Sequence, residues 1–149
     1  MREAIGGSWL FGLVITFIVF FASFLAISIN YSKAFNVKNN MVDLISKYEG
    51  NNKCARDQIG SYLQSVGYLV RGKCPSDYIG YNQNGESTYD KAFYCIKKIE
   101  ANSNNIDKKY YSVIIFFKID LPVVGDITTF KIKGETESIY FANESNMCI

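Results

Sequence analysis

The stretch from Ala4 to Ile29, AIGGSWLFGLVITFIVFFASFLAISI, constrains this chain more than any other, because it holds no charged residue and no proline. An α-helix rises ~1.5 Å per residue, so the run would extend ~39 Å, more than the ~30 Å of a bilayer's hydrocarbon core. A core helix of a globular protein rarely stays apolar on every face for so long, since its outer side meets water. A cleaved secretory signal would show a shorter apolar core, a small-x-small cleavage site and then a change of character. Ala22, Ser23, Ala26 and Ser28 supply small residues, but the helical pattern runs on past them. The stretch reads as a retained transmembrane anchor.

That reading divides the chain into a short tail at 1–3, the anchor at 4–29, an amphipathic continuation at 30–50 and an extracytoplasmic α+β domain at 51–149. Roughly 120 residues follow the anchor, enough for one domain with its own core. The net charge is +2 and no basic cluster follows a face, so nucleic acid is not an expected partner. Cys54, Cys74, Cys95 and Cys148 all follow the anchor. An even number of cysteines in a small domain beyond a span suggests two disulfides in an oxidising compartment. Zinc sites usually bring ligands in close pairs, and this sequence has no such pair and no histidine, so no metal is expected. Lys33 and Lys38 after the span would draw the C-terminal part inward by the positive-inside rule, whereas the cysteines place it outside. The cysteines decide the expected orientation: a single pass with the C-terminal domain outside the cell membrane.

Glu3 stands at the lip of the apolar run. A carboxylate there is costly if it enters lipid and so marks a function. It could equally sit among headgroups and favour the helix N-terminus through its dipole. Within the anchor, Ala4, Ser8, Gly12 and Thr16 recur every fourth residue and form one small-residue line, along which another helix can approach closely.

Helical spacing then continues through Tyr31, Ala34, Phe35, Met41, Val42, Leu44, Ile45 and Tyr48, an apolar stripe on an otherwise polar helix. Gly50-Asn51-Asn52 stops it. The spacing predicts a single helix from about Ala4 to Tyr48, ~65 Å long. A second helix is expected from about Ala55 to Val66, with Ala55, Ile59, Tyr62, Leu63 and Val66 inward and Gly67 at its end. Tyr68-Leu69-Val70 reads as a short strand. Pro75 to Asp90 reads as a long loop rich in Gly, Asn, Ser and Tyr.

From Tyr94 the period changes to two. YCIKKIEA is one strand. In YYSVIIFFKIDL, Tyr111, Val113, Ile115, Phe117, Ile119 and Leu121 share one face, and the opposite face turns polar only near its end, as expected of a central strand. DITTFKIKG follows a Pro122 and Gly125-Asp126 turn. Gly134 reads as a bulge, after which ETESIYF continues to Phe141. The expected class is α+β: a long helix, a short helix and an antiparallel sheet of three or four strands. Four cysteines allow three pairings. In a meander, Cys74–Cys95 closes the irregular loop at its base and leaves Cys54–Cys148, while Cys54–Cys74 stays open as the rival.

No constellation looks catalytic. Histidine, the commonest general base, is missing, and there is neither a nucleophile elbow nor a phosphate-binding glycine loop. Asn82, Asn84, Gly85 and Glu86 faintly resemble a calcium loop, but Gly80 stands where the leading acid belongs. Asn143-Glu144-Ser145 matches a glycosylation sequon. Glu135 and Glu137 share a strand face and read as a solvated edge. No enzyme, cofactor or small-molecule substrate is expected.

A near-terminal Glu3, an apolar helix running into an amphipathic one, and then an antiparallel sheet with cysteines resemble the pilin-like proteins of type IV filament and type II secretion systems. The ending YYSVIIFFKIDLPVVGDITTFKIKG is similar to the C-terminal part of TadE-like pseudopilins of Gram-positive tight-adherence pilus systems. The resemblance implies a membrane-anchored subunit or minor assembly factor of a surface filament. It would pack on other pilin-like subunits through its N-terminal helix, with Glu3 setting registry. Gly6-Gly7 departs from the pattern, because a pilin's cleavage glycine lies before its glutamate. An alternative needs no filament: an anchored surface binding module that contacts a ligand through the Tyr/Asn-rich 75–93 loop.

Overall fold

A computed structural model describes residues 2–103, 106–121 and 125–140, with side chains in those ranges except at 2–5, 102–107 and 120–128. The long helix is continuous. α1 spans Arg2–Lys47 and ends in a left-handed turn at Glu49, φ 55°, with the Gly50 amide donating to the Ile45 carbonyl and the Glu49 amide to Ser46. α2 spans Lys53–Ser65. The side chain of Asn52 caps it by accepting from the Ala55 amide at 2.8 Å. Gly67, φ 60°, closes it, and the amide of Tyr68 reaches back to Leu63.

The sheet is antiparallel throughout, in the order β1 (Ile79–Tyr81), β2 (Tyr94–Ser103), β3 (Ile106–Leu121) and β4 (Gly125–Glu135). β5 (Ile139–Tyr140) pairs with β3. The α+β class, the two helices and the central place of β3 agree with the sequence. Three details differ. Tyr68–Val70 is irregular, and the nearby pairing is an isolated bridge between Gly72 and Ala92. The expected loop at Pro75–Asp90 contains β1, which turns back through a second bridge between Tyr81 and Ser87. The β4 register runs unbroken through Gly134, opposite Val113, so there is no bulge there. The irregularity comes at Thr136, whose hydroxyl oxygen accepts from the Tyr111 amide and whose own amide donates to the Tyr111 carbonyl. A side chain thus replaces the ladder, and pairing resumes one residue out of step at Lys109 and Ile139. The expected continuation to Phe141 lies outside the described residues beyond Tyr140.

β3 is buried on both faces from Tyr111 to Phe117. Tyr111, Val113, Ile115 and Phe117 meet α1 and α2 in one core with Ala34, Val37, Met41, Ile45, Ile59 and Leu63. The α1 stripe is therefore narrower than its sequence suggests. Val37 belongs to it, whereas Tyr31 and Phe35 are largely exposed. On α2, Tyr62 and Val66 are only partly buried beside Ala55, Ile59 and Leu63.

The other face of β3, with Ile114 and Phe116, is covered by Ala92, Val70, Tyr78 and the Cys74–Cys95 disulfide. Gly72 lies against the Phe116 ring so closely that a Cβ there would overlap it. Phe116 is one residue beyond the last β2 pair, Tyr94 with Ile115, and its carbonyl accepts from the Tyr68 hydroxyl. Burial pushes the Tyr68 phenol up to about 12.

The 79–88 hairpin is clipped onto α2 by glycines: a Cβ on Gly60 would collide with the Gln83 carbonyl, and one on Gly85 would press Arg56 Cβ at 2.9 Å. Gly60→Ala should therefore lower stability by ~1–3 kcal/mol, against gains expected from alanine in an open helix. Thermal unfolding of the detergent-solubilised full chain measures it, and an unchanged midpoint would contradict the contact. Two tyrosines should behave oppositely in the same measurement. Tyr68→Phe removes a buried hydrogen bond and should cost ~1 kcal/mol. The Tyr94 hydroxyl is buried with no partner among the described residues, so Tyr94→Phe should leave stability unchanged or raise it.

Candidate membrane and assembly surface

Residues 6–22, at the N-terminal end of α1, are exposed throughout. The most apolar window of α1 is wholly unburied, and the helix is long and apolar enough to cross a membrane. Trp9 is 74 % exposed, and Leu10, Phe11, Phe17, Phe20, Phe21 and Phe24 stand open in the same way. Such a surface carries a large cost in water and little in lipid.

Two hydroxyls of the N-terminal half of α1 are satisfied internally. The Thr16 hydroxyl donates to the Gly12 carbonyl and the Ser23 hydroxyl to the Val19 carbonyl, each at 2.9 Å. Bonds of this kind leave no donor to desolvate within hydrocarbon.

Of the four small residues expected in one line, Ser8, Gly12 and Thr16 lie along a shallow groove with Trp9, Leu13, Phe17 and Phe20 as its walls. A Cβ on Gly12 would meet nothing within 4 Å, so only another molecule can use the space. The side chains of Ala4 and Glu3 lie outside the described residues, although both positions are helical.

Two further surfaces belong to the domain. One is the 75–93 segment. Beside the disulfide it forms an open cavity of about 350 Å³, bordered by Lys73, Pro75, Tyr78, Thr88, Tyr89 and Asp90, with Tyr89 89 % exposed. The Asn82 turn next to it is committed to its own backbone. Its side-chain oxygen accepts from the amides of Asn84 and Glu86, and its amide nitrogen donates to the Glu86 carboxylate at 2.8 Å. That oxygen is not offered to a cation.

The other surface is the outer face of the sheet, where exposed ion pairs sit. Lys97 meets Asp77 at 2.8 Å, and their hydrogen bond raises the amine and lowers the carboxyl. Lys133 meets Glu135 at 2.8 Å, and the same kind of bond raises the amine. Glu135 and Glu137 are both exposed, as a solvated edge requires. Among the described residues no cluster of three or more potential metal ligands occurs.

Cys74 and Cys95 are bonded, with Cα atoms 5.8 Å apart, which excludes the Cys54–Cys74 pairing. Cys54 is itself disulfide-bonded. Cys148, its expected partner, lies outside the described residues, as does the sequon at Asn143. The sequence missed Val37 and the 79–81 edge strand. Val37 falls four residues before Met41 and could have been found by spacing alone, whereas three residues without alternation carry no strand signal.

A long apolar N-terminal helix packed by its second half on an antiparallel sheet is a pilin-like architecture. No family model, curated protein or solved structure matches the chain.

Proposed function

We propose that this protein is a single-pass, membrane-anchored pilin-like subunit, or a minor assembly factor, of a type IV or tight-adherence-like surface filament, close to the TadE-like pseudopilins. Its role is structural rather than enzymatic. The observation that carries the reading is the division of one continuous helix: the run up to Ile29 is apolar and exposed except for a partly covered stripe at its end, Ser23, Ala26 and Ile27, and the half from Ala34 is packed on the sheet. In the bilayer the first half spans, and the domain stands on the extracytoplasmic side, where the Cys74–Cys95 disulfide persists. On assembly the same half exchanges lipid for neighbouring helices. Ser8, Gly12 and Thr16, with Ala4 in line before them, are the face on which a neighbour's backbone approaches closely. Glu3 pairs with a neighbour's amino group and sets registry.

The cavity beside the disulfide and the exposed Tyr89 support a second reading, an anchored binding module that meets its ligand through the 75–93 segment. The two readings part on the helix. Under the filament reading, Gly12→Leu leaves the domain folded but reduces in-membrane crosslinking between neighbouring copies or partner subunits. Glu3→Gln keeps insertion and loses incorporation into the assembly. Normal crosslinking by the first variant and normal incorporation by the second would leave the binding module as the better account.

A further inference from the structure

The relation between helix and sheet fixes where the sheet ends along the apolar run. Gly134, opposite Val113, lies against the side chains of Lys38 and Val42. Phe117, four residues further along β3, meets the Tyr31 ring edge-on at 6.0 Å. From the midpoint of Lys38 and Val42 back to Tyr31 is ~13.5 Å of helix, and from Val113 to Phe117 is ~13 Å of strand. The two lengths agree, so α1 and β3 run side by side in opposite directions with little divergence.

β3 and β4 stay paired beyond Phe117, as far as Leu121 and Gly125. That adds another ~13 Å, which on α1 reaches back to about residue 22, well inside the uncharged run that ends at Ile29. Burial along the helix agrees. Ser23, Ala26, Ile27 and Asn30 are partly covered along one stripe, while Phe24, Leu25 and Ile29 remain exposed.

An aromatic cluster marks the same level. Tyr31 stacks on Phe35 at 6.3 Å and Phe117 on Phe130 at 5.3 Å. Tyr31, Phe35 and Phe130 are 50, 41 and 40 % exposed. Lys38 Nζ lies 4.1 Å from the Phe35 ring centre and Lys33 is exposed two residues after Tyr31, while on the other face of the sheet Lys131 Nζ stands 6.0 Å from the Phe116 ring centre. Half-exposed rings among lysines suit the boundary between lipid and water, where rings lie at headgroup depth and amines reach phosphate.

We infer that the paired end of β3 and β4, with the Tyr31, Phe35 and Phe130 cluster, rests in the headgroup layer of an anionic bilayer. This gives the chain a second membrane contact beside its spanning helix, and it builds on the reading of α1 as an anchor. A domain carried clear of the membrane on a helical stalk would need a sheet that begins beyond the apolar run, and here the two overlap.

The full chain reconstituted in vesicles of phosphatidylcholine and phosphatidylglycerol, some acyl-brominated, tests this. Trp9 is the single tryptophan, so its quenching by deeply brominated lipid reports on the anchor separately. Trp9→Phe/Phe130→Trp moves the indole into the cluster, Trp9→Phe/Phe35→Trp does so from the helix side, and Trp9→Phe/Tyr89→Trp places it on the 75–93 segment. Circular dichroism checks that each folds. The indoles at 130 and 35 should emit to the blue of the one at 89 and lose more emission to shallow than to deep bromine, while the one at 89 loses none. If Trp9 is quenched and positions 130 and 35 are not, the inference is overturned, whether their emission is red, as in water, or blue, as under a second copy. Absence of quenching at Trp9 would overturn the anchor itself.

Discussion

Everything in this molecule depends on one helix having two kinds of neighbour. From Ala34 onward α1 follows the spacing of residues 34, 37, 41 and 45, and it closes one face of the sheet through those four side chains. Each large apolar side chain so buried contributes ~1.5–3 kcal/mol. Before Ser23 the same helix has no such face, because it is apolar and exposed all round. On the anchor reading two solvents are thus built into a single continuous element, and no glycine or proline breaks it between them.

The sheet meets a complementary demand. β3 carries large apolar groups on both faces, so a helix layer on one side leaves Ile114 and Phe116 to be covered from the other. The segment after α2 provides that cover, with Gly72 flat on the Phe116 ring and Tyr68 bonded to the Phe116 carbonyl. The Cys74–Cys95 bond then fastens the segment to β2, with Gly80 leaving room for the Cys74 sulfur. In the chain-entropy description, closing a loop of this size stabilises by ~3 kcal/mol. The disulfide thus does for the outer face what the long helix does for the inner one.

Much of this was legible in the sequence, and the reasons differ by element. The long helix and its stop at Gly50 follow from local chemistry, which acts within a few residues. The central strand announced itself by being apolar on both faces. Several of the wrong details depended on partners distant in the chain. Whether Tyr68–Val70 pairs is decided by Ala92 and Phe116, and the bulge sits at Thr136 because its hydroxyl can take the Tyr111 amide. Phe35 looks like core by spacing, yet its ring lies at the rim, where Tyr31 stacks on it and Lys38 covers it. The small-residue face was readable as far as its alignment, and the structure adds that Gly12 opens onto free space.

The continuity of α1 across the change of surroundings is the central claim, and amide hydrogen exchange of the full chain in lipid nanodiscs measures it most directly. Protection should run unbroken from Gly6 to Lys47, by lipid in the first half and by the sheet in the second. Replacing the nanodisc with a mild detergent should loosen only the residues before Ile29. Fast exchange across residues 29 to 33 within the bilayer, or an unprotected first half, would contradict a single helix shared between membrane and domain.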